Sequence, residues 1–580
     1  MVLGALALAA IVLGCLTVVA VAARGPSSLS PPSHSYFFPS WLAGPLGGAW
    51  PFPSTGATLR LVFDYAVVGM YPFYLLAVRY APRLRRRWTI AAILAVHVIF
   101  LLSPPLALTD VFNYLNYGRM EIVHGLNPYA TIPALEPHGD PAYSISNWHH
   151  LLSPYGPLFT LLTFVLVPLG VATSFWIFKA ALMLASLLGL LLVWRCAELL
   201  HRSPLPAVVL VGLNPAVLVW GLGGAHNDFL MVVLMMLAVY LLLSSRRRPF
   251  ASALAVDVDR ISPPGRLRRG ARTLTGARRA RSAPTPGPAL GLAGHARASL
   301  ALRLPALSRG PARGWGGVPA LGPVEARVPG AGPVVGPTGA AAIALPPAPV
   351  VAPPASATPA HPGRPAALWP PRRVAAAATR EKALQFSAGA ILVAAAAIKL
   401  PAAILVPILL AVAPRRAYLL AGMATGLLGV GLASYAAFGA RLPDLGVQSN
   451  LVTAVGLPNL LGAGLGLGGE TVGLREVLSA VLVVAVGLSA VWARRRHGDW
   501  IVPAGTAVLV LVLTLSWQAP WYVLWLLPLA ALARRPHLRV ATLLLGVYVV
   551  LAFTTNIVNL RPPSTPLQQV HSRETLHLVH

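Results

Sequence analysis

One carboxylate stands where it could do chemistry. Asp110 follows the apolar run 88–103 and is followed in turn by Phe112, Asn113, Tyr114, Asn116 and Tyr117. A carboxylate held on a rigid helix terminus, facing both an apolar boundary and water, suits a general base. Aromatic faces and amides bind sugars by stacking and hydrogen bonding. The chemistry that fits is removal of a proton from a sugar hydroxyl as it attacks an activated anomeric carbon. The plain alternative is a helix-end or loop carboxylate with no reacting partner.

A second group comes from a distant stretch of the chain. His226, Asn227 and Asp228 follow Gly223 and Gly224, which let backbone approach a ligand closely. Three uses compete for them: metal binding, contact with a substrate or phosphate, and capping of a helix that starts at 229. The metal reading is weak, because no third ligand is adjacent. Lys399 stands in the apolar text "AAAAIKLPA" and either snorkels to the surface or neutralises an anion such as a lipid phosphate. Arg119, on the loop that carries Asp110, either shares that task or pairs with Glu121. Trp517, Gln518 and Trp521 add an aromatic and amide corner, while 124–129 and 155–157 read as turns that shape the loop.

The elements that position these residues are membrane spans. The 580 residues are 56% hydrophobic and 11% charged, more apolar than soluble domains. Apolar runs recur at 1–22, 58–80, 88–103, 174–198, 205–221, 229–245, 417–437, 474–493, 500–515 and 538–554, each near the length that crosses ~30 Å of hydrocarbon. Such segments must be helical, because a helix satisfies its own backbone groups in lipid. The first run lacks a preceding Lys or Arg and reads as a span rather than a signal peptide. The piece 158–172, broken by Pro168 and Gly170, reads as an interfacial or re-entrant helix. The stretch 386–413 reads as two short helices turning at Lys399-Leu400-Pro401. The expected fold is therefore an all-α polytopic membrane protein of about 13 transmembrane helices with large external loops.

The net charge of +29 is unevenly spread. Between Arg246 and Lys382 lie 21 of the 45 basic residues against four acidic ones, a surplus of 17. That stretch is rich in Arg, Pro, Ala and Gly without helical or strand periodicity, so residues 250–382 are expected to be disordered. A cytoplasmic linker, the product of a shifted reading frame and a polyanion-binding arm are the three readings of it. The remaining clusters, 83–87, Arg195 with Arg202, Arg415/Arg416, 494–496 and Arg534/Arg535, should share the cytoplasmic side. This places the loop 103–157 outside, together with Asp110, 223–228, Lys399 and the 517–522 corner. The domains expected are an N-terminal transmembrane region over 1–249, the insert 250–382, a C-terminal transmembrane region over 383–560 and a polar tail 561–580. Cys15 and Cys196, both in or beside apolar runs, imply no disulfide framework.

The combination of "TDVFNYLNYGRMEIVHGLNPYA" at 109–130, "SPYGPLF" at 153–159, "GLNPAVLVWGLGGAHNDFLM" at 212–231, "AAAAIKLPA" at 394–402 and "SWQAPWYVLWLLPLA" at 516–530 resembles the GT-C glycosyltransferases. Within them it is similar to the actinobacterial polyprenyl-phosphate-mannose-dependent alpha-(1->6)-mannosyltransferases, a glycosyltransferase 87-like group. The resemblance implies a GT-C-like bundle in the cell membrane and a polyprenyl-phosphate-linked sugar donor, mannose before others. It implies transfer to an extracytoplasmic glycan or lipoglycan; no nucleic-acid partner is expected, because the basic insert lacks aromatic interleaving. Asp110 matches the catalytic aspartate, acting as base in an inverting displacement, with Lys399 at the departing phosphate. Asn113, Tyr114, Arg119, His226, Asn227, Asp228, Trp517, Gln518 and Trp521 are then substrate-binding candidates. Val111 and Phe112 stand where a second acidic residue often follows, so a divalent metal is unsupported and no cofactor is expected. The rival function is a transporter or flippase of lipid-linked sugars, which should carry ionisable groups near the midplane of several spans.

Overall fold

The computed structural model describes residues 2–24, 39–106, 110–246, 371–444, 451–496 and 498–554. Helices make up the described secondary structure, and no strand occurs among the described residues. Eight helices are long and apolar enough to cross a membrane, or nine if one bent pair is counted as a single span. The chain is thus an all-α polytopic membrane protein, with fewer full-length spans than the 13 expected. The shortfall has a physical cause. Several apolar runs form helices too short to span alone: Arg86–Leu101 and Ile501–Thr514 are 16 and 14 residues long, Pro157–Phe164 starts at Gly156-Pro157, and Val523–Leu532 contains Pro528.

Two breaks shape the site. The run 205–221 forms a helix, Pro204–Gly212, and a π-helical segment, Val217–Gly223, bent from it by 64°. Asn214 and Pro215 lie at the bend, where the Asn214 side chain accepts from the Val217 N–H. The stretch 386–413 is not two short helices. One long helix, Pro371–Ile398, ends at an extended Lys399 and is followed by a 3-10 turn, Leu400–Leu405, and a short helix, Val406–Val412. Pro401 at the start of that turn has no N–H to continue the helix. The long helix begins inside the 250–382 segment; the rest of that segment from 250 to 370, and the tail 561–580, lie outside the described residues.

We label the helices that carry the argument α1 (Arg86–Leu101), α2 (Asp110–His124), α3 (Val171–Leu199), α4 (Asp228–Ser245), α5 (Pro371–Ile398), α6 (Arg416–Phe438) and α7 (Val523–Leu532). Helix α5 packs on both α4 and α6. Its approach to α6 is close because glycines face backbone: a Cβ on Gly389 would stand 2.1 Å from the Leu419 carbonyl oxygen, and one on Gly422 1.9 Å from that of Phe386. Small residues at a helix crossing are how apolar helices gain contact in lipid, where burial supplies no driving force.

The basic clusters meet at one end of these helices. Arg202 pairs with Asp499 at 3.4 Å, Arg415 with Glu381 at 3.3 Å, and Arg246 lies over Trp500. Arg86 lies over Trp194 and Arg535 over Trp492. The start of α4, the end of α5 and the start of α7 form the opposite end, and there Asp228, Lys399 and Trp521 come together.

Candidate active site

Asp110 is the first residue of α2, where the unpaired N–H groups and the helix dipole favour a carboxylate. Its side chain keeps 11% of its surface accessible, and its Oδ2 lies 3.1 Å from Nδ1 of His226. The Tyr114 hydroxyl, one turn along α2, is 3.4 Å from the same nitrogen and accepts at 3.5 Å from the Asn227 N–H.

The turn that delivers His226 has no room for other residues. A Cβ on Gly224 would stand 2.3 Å from the Trp220 carbonyl oxygen and 2.7 Å from His226 Nε2. Ala225 takes a left-handed conformation at φ 54°, which costs a non-glycine residue roughly 1 kcal/mol. The segment is tied to the loop before Asp110 by a 2.9 Å bond from the Leu106 N–H to the Gly223 carbonyl.

Asp228 is fully buried and accepts from three side chains. Lys399 Nζ reaches Oδ2 at 2.9 Å and Oδ1 at 3.0 Å. The indole N–H of Trp525 donates to Oδ1 at 2.6 Å and that of Trp521 to Oδ2 at 3.1 Å. A buried carboxylate needs this many donors to offset its lost hydration. Lys399, 20% accessible at its side chain, also lies 5.1 Å from the Tyr522 ring centre and 5.6 Å from that of Trp525. The imidazole of His226 stacks on Trp521 with ring centres 3.5 Å apart and planes 10° apart. One continuous set of contacts therefore runs from Asp110 through His226, Trp521 and Asp228 to Lys399.

The other expected residues sit around this set. Asn113 pins the returning loop, donating to Asn147 Oδ1 at 3.0 Å and accepting from the N–H groups of Asn147 and Trp148. Arg119 pairs with Asp140 at 2.9 Å, in place of the Glu121 pairing weighed from the sequence. Asp140 also binds His124 and the Ala142 N–H. Burial works against the charge of Asp140, but the bonds from Arg119, Ala142 and His124 hold its carboxyl below the usual range. Gln518 is buried with its amide committed to the Val512 carbonyl and the Leu457 N–H. Trp517 is 36% exposed, while the side-chain amide of buried Asn227 has no hydrogen-bond partner among the described residues.

Three contributors lie outside the candidate set: Gly156 reads from the sequence only as part of a loop-shaping turn, Trp525 as one aromatic among several, and Lys179 as a charge within the apolar run 174–198, which is a signal of its own. Trp525 supplies the shortest bond to Asp228. Gly156 donates to the Ile398 carbonyl at 3.3 Å, tying the loop to the end of α5; a Cβ there would stand 2.1 Å from the Ala397 carbonyl oxygen. Lys179, fully buried in α3, donates to the Ser103 carbonyl and, at 3.1 Å, to its hydroxyl. Among the described residues no three His, Cys, Asp or Glu side chains gather as a metal-binding group.

Comparison with known proteins adds a family. The family model described as "Alpha-(1->6)-mannopyranosyltransferase, N-terminal domain" matches residues 1–262, and that described as "MptB C-terminal domain" matches residues 452–570. The chain is 37% identical over 153 residues to alpha-(1->6)-mannopyranosyltransferase A of Mycobacterium tuberculosis, covering 25% of this chain and 29% of that protein. It is 29% identical over 170 residues to the protein of the same name from Corynebacterium glutamicum, covering 28% and 34% of the two chains. The aligned stretch thus spans about a third of each relative's length. No solved structure matches.

Proposed function

The chain belongs to the alpha-(1->6)-mannopyranosyltransferase family, in the GT-C, glycosyltransferase-87-like group, and on that premise we propose that it is a membrane mannosyltransferase. The donor is a polyprenyl-phosphate-linked mannose and the acceptor a glycan or lipoglycan on the extracytoplasmic side of the cell membrane. The basic clusters at the opposite end of the helices support that orientation.

The observation that carries the reading is that one linked set of contacts holds a carboxylate, Asp110, and an ammonium, Lys399, each with accessible side-chain surface, at one end of the bundle. The acceptor hydroxyl oxygen attacks the anomeric carbon and its proton passes to Asp110. The bond from that carbon to the phosphate oxygen breaks, and polyprenyl phosphate leaves. A single displacement of this kind inverts the anomeric carbon. Lys399 uses its ammonium on Asp228 from one side and meets the leaving phosphate from the other, and the charge it supplies is worth most in a dry site. Trp521, Tyr522 and Trp525 pack on one another and on His226, and so hold the surroundings of Lys399 rigid.

The test is reconstitution of the full chain in vesicles with polyprenyl-phosphate-mannose and a mannan oligosaccharide. Mannosylated product should form and should fall to background in Asp110→Asn. Product that survives Asp110→Asn unchanged refutes the site, and movement of the lipid-linked sugar across the vesicle without product refutes the enzyme.

A further inference from the structure

His226 is placed by the sequence among the substrate contacts, and its environment argues against that. The residue is 1% exposed. One face of the ring is covered by Trp521, its Nδ1 faces Asp110 Oδ2 and the Tyr114 hydroxyl, and its Nε2 is buried without a partner among the described residues. A protonated Nε2 buried in that state would leave an unpaired N–H, at a cost of about 1–3 kcal/mol. An unprotonated one leaves only a lone pair. The tautomer that fits carries its proton on Nδ1, where it faces Asp110 Oδ2 at 3.1 Å and the Tyr114 hydroxyl at 3.4 Å.

A carboxylate with one oxygen held in this way presents the other in a fixed direction. The remaining oxygen of Asp110 is then the one left for an acceptor hydroxyl. His226 is itself fixed by the stack on Trp521, and Trp521 is fixed in turn by its bond to Asp228. Neither His226 nor Trp521 needs to touch substrate to matter.

We propose that His226 is a positioning residue for the base: its Nδ1–H aims the Asp110 carboxylate, and the Trp521 stack locks the imidazole to the Asp228–Lys399 pair. This deepens the reading of Asp110 as general base and rests on it. Loss of aim should slow the chemical step while leaving substrate affinity alone, since misplacement of a reacting group by about 1 Å can cost about 10²-fold.

The experiment uses the full chain in vesicles with polyprenyl-phosphate-mannose and a mannan oligosaccharide. His226→Phe keeps the ring and the stack but removes the N–H. It should lower kcat by about 10²-fold with KM for both substrates within about threefold. His226→Asn, whose amide nitrogen falls near the Nδ1 position, should recover a large share of kcat. Because His226 acts through Asp110, His226→Phe added to Asp110→Asn should cost nothing further. An Asp110→Asn variant that is fully active overturns the underlying site. If Asp110→Asn is inactive while His226→Phe has wild-type kcat, or raises KM alone, the positioning role is overturned and the site stands. Melting temperature in detergent decides whether a variant is folded, and if His226→Phe is not, His226→Leu takes its place: a kcat lowered as in His226→Phe supports the positioning role, and wild-type kcat overturns it.

Discussion

Lys399 and Asp228, 171 residues apart, form a two-pronged ion pair at 2.9 and 3.0 Å, with the carboxylate fully buried and the ammonium part-accessible. The pair joins the broken end of α5 to the first residue of α4. With the Trp521 and Trp525 bonds to Asp228 and the His226–Trp521 stack, it joins the two parts of the chain on either side of the 250–370 stretch in one site.

Breaking the pair from one side should cost more than removing both partners. Lys399→Met leaves a buried carboxylate with only two indole donors, a loss of about 3–5 kcal/mol in stability. Asp228→Asn should cost less, because Lys399 reaches solvent. The double variant should recover stability toward wild type while remaining inactive, since the charge for the leaving phosphate is gone. A thermal melt of the four proteins in one detergent gives the coupling energy, and strict additivity of the two losses would sink the claim.

Gly156 should tolerate no side chain. Its Cβ would meet the Ala397 carbonyl oxygen, a backbone atom that cannot rotate away. Gly156→Ala must then push the loop off the end of α5, moving Lys399 along with it. The expected outcome is a fall in the melting temperature together with a raised KM for the lipid-linked donor. Gly139→Ala, where a Cβ meets nothing within 4 Å, is the control that should leave both unchanged.

Much of this site is legible in the sequence. Asp110, Tyr114, His226, Asp228, Lys399 and Trp521 announce themselves as polar or aromatic residues where apolar text ends, and the structure brings those six together. What the text hides is direction. Gln518 and Asn113 are as polar as the rest, yet their side chains are spent on backbone groups of loops and helix ends, which must be satisfied at this end of the bundle. Arg119 stands two residues from Glu121 on a helix, a spacing that puts the side chains on different faces, so it finds Asp140 across the loop. The span count suffers for a related reason: the break at Lys399-Leu400-Pro401 shows in the text, but the run 205–221 reads as one helix although the backbone bends by 64° at Asn214-Pro215, and apolar runs too short to cross alone are counted as spans.

The loop that carries Asp110 should respond to pH through Glu136. Burial pushes its carboxyl up to about 7, against the bond from Asn116 and the nearby Arg119 and His124, with Asp140 adding to the rise. Asn116 Nδ2 donates to Glu136 Oε1 at 2.6 Å, and the two atoms left over, Asn116 Oδ1 and Glu136 Oε2, are both buried without partners among the described residues. A proton on Glu136 pairs them. Because the folded-state pKa lies above the ordinary value of 4.5, the folded protein holds the extra proton, and this stabilisation is lost as pH rises from about 4.5 through about 7. Melting temperature should therefore decline across that window. Glu136→Gln, whose amide can make the same pairing at any pH, should remove that contribution to the slope.

Lys179 offers a case in which activity and stability should move apart. Its ammonium is fully buried in α3, and the groups it binds are the carbonyl and hydroxyl of Ser103, just past the end of α1. The rings of Phe175 and Trp176 lie 5.4 and 5.3 Å away, and no carboxylate among the described residues forms an ion pair with it. Holding a cation there is costly, and a well-packed apolar side chain of similar volume commonly does better. Yet Ser103 begins the stretch of loop that reaches Leu106, whose N–H is anchored on Gly223, and then Asp110. Lys179→Met should leave the melting temperature unchanged or raise it by a few degrees, while turnover falls about tenfold as the start of α2 loosens. Melting and initial-rate measurements on the same preparation separate the two effects. A variant that is both less stable and fully active would show that Lys179 serves packing alone.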